Sequence, residues 1–563
     1  MSPTTRYLCG AAYSNHDFAE EVIAELVENG RRAVVPAIGY DLGPVLRHCY
    51  RARQLWFGQN LIITVILFLG VILAFASTAT LLLFALAVVG FSHLLNSPAR
   101  SNWRIAILIG VILLLVLIAP ALLQLVASVA PDSPLLPGDD GPSMTAVIGW
   151  AVGLALAVLG TIAATRRTVL RTLTQDLAPE RKPADLPSAP ADRLLARHRV
   201  ETVEEAQHGN IVLHSGPDPF LGAGRVTHAW SMALELRRDN AAGQSAERAA
   251  DDRVAVDPVA LNRHVKRCLA ALAGTDLPPH ERLAGLALRD QIMAAGTRWR
   301  KYPLIDQEFR LPYPYATPQA MEAIIRAPQT SARHFLRATV GAENREVVED
   351  KGTTIMPAEY QNIVVSTFTH IAVEGGMLYV ENVSTVLGPL RQEFLDIDQY
   401  APGDENGSEP LLQALRTFPG STLLAPVRLL QAISRAFSVS RAMGRAERDT
   451  DSQPVYDFGA RAEARQLASA PRPVTYLQRL DAEKYSKLME RRISEAIIGY
   501  LRNNGIDTAE YETRMNVFNN NGVFIRGDNQ GAAAAGTGAH ALLNQNTPNQ
   551  RKDGQRAGAG AQK

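Results

Sequence analysis

The sequence has 563 residues, more than one ordinary domain holds, and this length predicts two to four structural units. Its 57 basic and 56 acidic side chains give a formal net charge of +1, which leaves no overall electrostatic basis for nucleic-acid binding. The cysteines Cys9, Cys49 and Cys268 are isolated and form no CxxC pair, so we expect no disulfide framework.

Nearly all the long apolar runs lie in the first third of the chain. The run Leu61–Leu95 would form a straight helix of about 52 Å, well beyond a hydrocarbon core of about 30 Å. We therefore predict two helices that break near Ser77–Thr78, with a re-entrant hairpin over the same run as the alternative. Two further runs follow, and none of the four contains a charged side chain, which argues against an ion path. The predicted spans are 58–77, 79–96, 105–129 and 144–165.

Charged residues beside the predicted spans indicate their orientation. The loop between the third and fourth spans carries no lysine or arginine but three aspartates, Asp132, Asp139 and Asp140. The other flanks carry Arg47, Arg51, Arg53, Arg100, Arg104, Arg166, Arg167 and Arg171. By the positive-inside rule, we predict a multi-pass protein of the plasma membrane with its N- and C-termini in the cytoplasm.

The parts outside the membrane region, 56–168, divide into four segments. Composition assigns 1–55 to a small cytoplasmic docking segment, 169–198 to a loose Pro- and Ala-rich linker, 199–515 to a cytoplasmic domain, and 516–563 to a low-complexity, mostly disordered tail. Within the first segment we predict a strand over Arg6–Ala12, a helix over Asp17–Glu28 capped by Asp17, and a helix that starts near Asp41. Reversible cross-β self-assembly of 516–546 is the alternative interpretation of the tail.

Hydrophobic patterns predict the elements of the cytoplasmic domain. Asn210–Ser215 is predicted to be a strand, Gly216–Gly224 a turn-rich loop and His228–Leu236 the returning strand. The other predicted elements are helices at 257–273, 318–326 and 475–503, and β-rich segments at 334–340, 363–374 and 377–387, the last two joined by a hairpin turn at Gly375–Gly376. The predicted fold class is a membrane protein with an α-helical four-span region plus a cytoplasmic α+β domain with a mainly antiparallel sheet.

Residues 411–445 interleave apolar side chains with arginines. A basic amphipathic helix in a membrane-tethered domain is suited to lie on the anionic lipids of the inner leaflet. The candidates for this membrane-surface contact are Arg428, Arg435, Arg441 and Arg445. A surface helix that covers the sheet, or a partly disordered arm, is the alternative.

The loop between the first two predicted strands is the main candidate for a ligand site, because glycines permit close backbone approach. Its candidate ligand-binding residues are His214, Gly216, Asp218, Gly222, Gly224 and His228. The loop lacks the GK[ST] of a phosphate-binding loop, so a tight structural connection competes with this interpretation. On a strand, His370 and Glu374 would lie about 13 Å apart, too far to share a metal ion. We predict no catalytic residue, metal or cofactor.

Several stretches of the sequence resemble a family of uncharacterised, Streptomyces-like actinobacterial multi-pass membrane proteins. The resemblance covers most of the chain and is carried by RYLCGAAYSNHDF, HSGPDPFLGAG with AWSMAL, HIAVEGGMLYVENVSTVLGPLR, YDFGARAEARQLAS, and GIDTAEYETR with NNGVFIRG. It implies an N-terminal piece, membrane helices and a cytoplasmic domain. It implies no assigned activity and no catalytic residues.

These observations favour a non-enzymatic, membrane-anchored cytoplasmic scaffold or sensor. We expect its partners to be the lipid bilayer, anionic inner-leaflet lipids, and a protein or a second copy of the chain, but not nucleic acid. A membrane-bound enzyme or ligand-binding protein with its site near 214–228 is the alternative hypothesis. A transporter or channel is a weaker one, because the predicted spans carry no charge.

Overall fold

The computed structural model describes residues 2–95, 144–178, 195–238 and 254–520, apart from short gaps at 275, 279–280, 300, 344–346, 349–353, 357–359 and 402. In chain order, the helices are α1 Pro3–Ser14, α2 His16–Ile23, α3 Leu42–Leu73, α4 Phe75–Leu95, α5 Met144–Arg171, α6 Leu195–Ala206, α7 Pro258–Ala271, α8 Pro318–Arg326, α9 Gln392–Leu395, α10 Glu409–Ser452, α11 Ala464–Ala468, α12 Tyr476–Asn503 and α13 Ala509–Asn520. Helices α2 and α5 continue as π-helical turns over Ala24–Glu28 and Thr172–Asp176.

Among the described residues, the main sheet has six strands in the order β1-β3-β5-β8-β9-β2. The strands are β1 Ile211–His214, β2 Arg225–Glu235, β3 Leu286–Ala295, β4 Thr297–Trp299, β5 Ala332–Glu343, β6 Val347–Val348, β7 Thr354–Met356, β8 Tyr360–Glu374, β9 Met377–Leu387 and β10 Val455–Asp457. β1 pairs with β3 in parallel, and the other pairs in this sheet are antiparallel. The prediction of an α+β domain with a mainly antiparallel sheet is therefore confirmed.

The hairpin between β8 and β9 follows the predicted turn. Gly375 and Gly376 have φ angles of 62° and 80°, the left-handed values that a two-residue hairpin turn requires. The prediction that the second strand returns beside the first is wrong, because β2 pairs with β9 at the far edge of the sheet from β1. The connecting loop crosses the sheet instead of turning back beside β1.

One face of the sheet packs on helices α7 and α12. Alternate apolar residues of the central strands, such as Leu336, Val365 and Val380, are buried in one cluster with Met489 and Ile493 of α12. The period-2 pattern of the strands and the 3.6-residue pattern of the helix therefore meet in one core. Thr475 and Gln478 form the capping box that begins α12.

The first fifty residues do not form a separate unit. Helices α1, α2 and the start of α3 bury their apolar side chains against residues from much later in the chain, including Leu390, Phe394 and Ala468. The rings of Phe18 and Phe394 lie 5.4 Å apart between their centroids. A Cβ added to Gly10 would lie 2.7 Å from Cδ1 of Ile397, which shows how closely the two parts of the chain approach.

Two predictions for the first segment are wrong. Arg6–Ala12 lies within helix α1, because Ser2 caps this helix and Pro3 occupies its first position. Asn15, not Asp17, caps α2, since its side chain accepts the Phe18 N–H at 3.0 Å. The predicted start of a helix near Asp41 is confirmed, and Asp41 caps α3.

In the part of the chain that the structure describes, two helices are long and apolar enough to cross a membrane, Leu42–Leu73 and Ala146–Asp176. Both carry large exposed apolar side chains, such as Phe68 at 64% and Leu156 at 62%. The stretch Phe75–Gly90 of α4 is also apolar but shorter. The predicted third span, 105–129, lies outside the described residues.

The break between the first two apolar helices lies at Ala74, not at Ser77–Thr78. The hydroxyl of Thr78 donates to the carbonyl of Ala74 at 3.1 Å, and that of Ser77 donates to the carbonyl of Val147 in α5 at 2.9 Å. With their hydroxyls satisfied in this way, both residues lie inside α4.

The ends of two other predicted segments also differ. The region predicted to be a loose linker is helical as far as Asp176, whose carboxylate bonds Arg51 at 3.1 Å. The predicted tail starts inside α13, which runs to Asn520. Residues 179–194 and 521–563, with the predicted self-assembly segment beyond Asn520, lie outside the described residues.

We call the apolar cluster that joins α1, α2 and α3 to Leu390, Phe394 and Ala468 the shared core. Its packing predicts a large destabilisation by Phe394→Ala. Phe394 is fully buried between α1 and α2, so we expect its removal to lower the free energy of unfolding by about 3–5 kcal/mol. Denaturant unfolding of the detergent-purified protein, followed by circular dichroism, measures this. Leu477→Ala is the control, because Leu477 is 58% exposed and its truncation should cost under about 0.5 kcal/mol. Equal stability of the two variants would refute the shared core.

Candidate functional site

The loop predicted to bind a ligand covers the second face of the sheet. The ring of Phe220 packs on the rings of Phe368 and Phe335, with centroid distances of 4.8 and 6.0 Å. The N–H of Gly222 donates to the Gln466 side chain at 2.7 Å, which fixes the loop to the segment before α12. The loop therefore covers an apolar cluster on this face of the sheet.

The glycines of the loop have structural reasons to be glycine. Gly222 and Gly224 have φ angles of 74° and 83°, where side chains with a Cβ are strained. A Cβ on Gly224 would lie 2.2 Å from the carbonyl oxygen of Val386, whereas a Cβ on Gly216 would meet nothing within 4 Å. The carboxylate of Asp218 accepts the Phe220 N–H at 2.8 Å and closes a local turn.

The two histidines at the ends of the loop are far apart. His214 ends β1, where its Nδ1 lies 2.6 Å from the carbonyl oxygen of Gly216. His228 lies in β2 and pairs with Glu490 of α12 at 3.0 Å. Because β1 and β2 are opposite edges of the six-stranded sheet, their strands are about 24 Å apart, or five strand spacings. The predicted residues do not converge on one site, and their ligand-binding role stays a prediction.

A cleft of about 1870 Å³ lies elsewhere, between the N-terminal helices, α3 and α10. We call it the interfacial cleft, because it opens at the start of the apolar part of α3. Its lining includes Tyr13, His16, Asp17, Glu20, Glu28, Arg31, Arg53, Trp56, Phe57, Arg166, Arg199, Phe309, Arg428, Leu429, Ile433, Arg435, Phe437 and Met443. Sequence reasoning missed this cleft, because its walls come from several separate stretches of the chain, between Tyr13 and Ala446.

One wall of the interfacial cleft is a network of ion pairs. Arg53 of α3 bonds Glu28 at 2.7 Å and Glu20 at 3.1 Å. Arg435 of α10 reaches the same carboxylate of Glu20 at 2.5 Å. Among the described residues, no carboxylate pairs with Arg428, which lies two helical turns before Arg435. The network thus joins α2, α3 and α10 through charges near the start of the apolar helices.

An aromatic and imidazole pair lies beside this network. The ring of His16 meets that of Trp56 edge-on, with centroids 4.5 Å apart. Burial lowers the pKa of His16, and the guanidinium groups of Arg435 and Arg428 lower it further against the opposing effect of Glu20. A neutral His16 at pH 7 adds no positive charge to the cleft.

The opposite wall is formed by two arginines held by backbone carbonyls. Arg199 donates to the carbonyls of Leu26 and Arg32 at 3.3 and 3.0 Å. Burial lowers the pKa of Arg199 to about 10, with a smaller contribution from neighbouring Arg31. The side chain of Arg31 in turn donates to the carbonyl of Phe309. With this pKa, the Arg199 side chain remains cationic at pH 7.

Two of the four predicted membrane-surface arginines line the interfacial cleft. Arg428 and Arg435 lie in its lining, which continues along α10 to Ala446, whereas Arg441 and Arg445 are not among the lining residues. Trp56 and Phe57 also line the cleft, and aromatic residues of this kind, which favour membrane interfaces, are the one sequence signal that could have pointed to it. No sequence signal connects α2 with α10, since 415 residues separate Glu20 from Arg435.

A second polar cluster is buried between the sheet and the N-terminal segment. Arg337 is 2% exposed and donates to the hydroxyls of Thr339 and Ser366 at 3.0 to 3.2 Å. Burial lowers its pKa to about 9, against the opposing field of Glu463, whose carboxylate accepts the hydroxyl of Tyr40. The described residues contain no group of three or more His, Cys, Asp or Glu side chains that would hold a metal ion.

Comparison with known proteins shows a match to one protein family. The family model described as an AbeC-like domain matches residues 229–533, which include most of the main sheet, α10 and α12. No curated protein and no solved structure matches the sequence. The matched region excludes α1 to α5, so the interfacial cleft joins the family domain to a part of the chain that the family model does not cover.

The loop glycines give a test of the two interpretations of the loop. We expect Gly224→Ala to destabilise the protein by more than about 1 kcal/mol, because of its positive φ and the contact with Val386. Gly216→Ala is the matched control and should change the melting temperature little. The measurement is thermal unfolding of the purified variants; equal melting temperatures would show that Gly224 has no structural role.

Proposed function

We propose, on the premise that the chain belongs to the AbeC-like domain family, that it is a membrane-anchored cytoplasmic scaffold or sensor. In this proposal, the apolar helices hold the chain in the bilayer, and the α+β domain contacts the protein partner. The long helix α10 couples the two, so that a change among the apolar helices alters the surface that the domain presents.

The packing of α10 is the observation that carries this proposal. Its 44 residues extend over about 66 Å, and they contact α3, α4 and α5. Ala414, Phe418 and Ala425 of α10 are buried in one cluster with Ile63 of α3 and Val158 of α5. A helix that packs on all three described apolar helices is well placed to respond to their arrangement.

Both ends of α10 are fixed to other parts of the chain. Before its first turn, Asn406 accepts from Arg167 at 2.8 Å, and Glu405 accepts from Gln175 at 2.8 Å, both at the end of α5. After its last turn, β10 pairs with β4, and Asp457 accepts from Ser215 at 2.5 Å, beside the edge of the main sheet. A chain of direct contacts therefore leads from the apolar helices to the sheet.

The membrane topology in this proposal has four spans, with both termini in the cytoplasm. It is supported by the exposed apolar side chains of α3 and α5 and by the arginines beside the predicted spans. Large exposed apolar surfaces on a protein are normally covered by lipid or by a partner. The third predicted span rests on the composition of 105–129 alone.

A ligand-binding protein or enzyme with its site near 214–228 is less well supported. Phe220 fills the space beneath the loop, and the two predicted histidines lie at opposite sheet edges. A binding role for the loop would need Phe220 to leave its contact with Phe368.

Overpacking α10 against the apolar helices tests the coupling. Ala425 is fully buried, so Ala425→Trp should force α10 away from α3 and α5 at a cost of about 1–3 kcal/mol. We expect amide exchange of β10 to become about tenfold faster, because the strand directly follows α10. Hydrogen–deuterium exchange of the protein in lipid nanodiscs measures this.

Leu424, which precedes Ala425 in α10, supplies the matched control for Ala425→Trp. Leu424 is 45% exposed, so Leu424→Trp adds the same side chain without entering the packed surface. It should leave the exchange of β10 unchanged. If both variants exchange like the unmodified protein, α10 does not couple the two parts.

The topology is tested by cysteine labelling of intact cells. In a Cys268→Ser background, the remaining Cys9 and Cys49 are buried. We expect Asp140→Cys, in the basic-free loop, to react with a membrane-impermeant maleimide from outside. Ala323→Cys, on the exposed side of α8, should react only after lysis. Labelling of Ala323→Cys on intact cells would overturn the orientation.

A further inference from the structure

We propose that the interfacial cleft binds the phosphate headgroup of one anionic phospholipid of the surrounding membrane. This inference rests on the membrane anchoring of the proposed function and adds the chemical class of a ligand to it. It differs from a diffuse attraction of α10 to the lipid surface, because it assigns a single bound lipid to one cavity.

The charge of the cleft is the first argument. Six arginines line it, against three carboxylates, so the site carries a positive excess near the start of the apolar helices. Two of the three carboxylates, Glu20 and Glu28, already accept bonds from Arg53 and Arg435. Among the described residues, no carboxylate pairs with Arg428 or Arg199. A phosphate would supply the missing charge through strong, charge-assisted hydrogen bonds.

The apolar part of the cleft is the second argument. Phe57 lines the cleft and is 41% exposed, and the exposed apolar surface of α3 continues from it through Leu61 and Ile62. On the α10 side, Ile433 and Phe437 add exposed apolar surface to the lining. A free phosphate ester would leave this surface uncovered, whereas the acyl chains of a lipid would lie along it.

The position of Trp56 is consistent with a ligand that has a phosphate headgroup and acyl chains. Tryptophan favours the level of the lipid headgroups, and Trp56 lies between the ion-pair network and the apolar part of α3. The cleft volume of about 1870 Å³ exceeds the usual range of about 300–1,000 Å³ for small-molecule sites, which leaves room for a headgroup together with part of the acyl chains.

Native mass spectrometry of the full-length protein tests the inference. The protein in neutral detergent is titrated with phosphatidylglycerol and, separately, with phosphatidylcholine. We expect one phosphatidylglycerol to remain bound, and Arg428→Gln to weaken its affinity about tenfold, as the loss of one bond to a charged group would. Arg428→Lys should retain most of the affinity, because it keeps the charge.

Arg441→Gln is the matched control, because it removes the same charge from an exposed arginine of the same helix that is not among the lining residues. It should change the affinity less than twofold. Equal losses in Arg428→Gln and Arg441→Gln, or equal binding of phosphatidylcholine, would overturn the proposed site. Displacement of the lipid by an equal concentration of glycerol phosphate would also overturn it, since the apolar surface would then contribute nothing.

The same variants separate this inference from the proposed function. If Arg428→Gln binds lipid normally while the exchange of β10 still responds to Ala425→Trp, only the lipid site is refuted. If the chain is recovered in the soluble fraction of lysed cells, the membrane anchoring itself is wrong.

Discussion

Phe394 and its neighbours occupy a space enclosed by helices from the opposite end of the chain, and most of the architecture depends on this contact. Apolar side chains of α1, α2 and α3 cover Leu390 and Phe394, which would otherwise face water next to the sheet. The hydrophobic free energy of this shared core holds the base of α3 against the α+β domain. Since α3 continues from this core into its apolar part, the same contact fixes where the apolar helices begin relative to the sheet.

The N-terminal segment is therefore part of the core of the protein and not a separate docking module. A separate docking module would leave the domain free to move on its linker, and the coupling would then depend on linker length. Here the segment between α2 and α3 is bonded directly to residues near β10, as in the hydrogen bond from the Ala33 N–H to the carbonyl of Phe458 at 2.7 Å. Together with α10, it forms a second route between the apolar helices and the edge of the sheet. Two routes that end near Asp457 constrain the domain more than either would alone.

Local patterns predicted those parts of the fold that local chemistry determines. The alternation in β8 and β9 and the glycines of their turn act over fewer than about ten residues, and the strands and the turn have the predicted type. The strand predicted at Arg6–Ala12 is wrong because its pattern is short, and Ser2 and Pro3 supply the signals that start a helix directly before it. The strand His228–Leu236 was located, but its partner was not, because the choice between β1 and β9 depends on contacts distant in sequence.

The interfacial cleft shows why a site can be less predictable than the fold around it. In the sequence, Arg428 and Arg435 are basic residues on an amphipathic stretch. That pattern fits a helix lying flat on a lipid surface as well as it fits a helix packed against α2 and α3. Glu20 distinguishes the two arrangements, because a carboxylate with 9% of its side chain exposed binds Arg435 only if α10 lies against α2. Burying that carboxylate is unfavourable unless cations compensate it, so Arg53 and Arg435 have a structural role that Arg441 lacks. The cleft therefore contains both arginines that hold its walls together and arginines, such as Arg428, whose charge remains available to an anion.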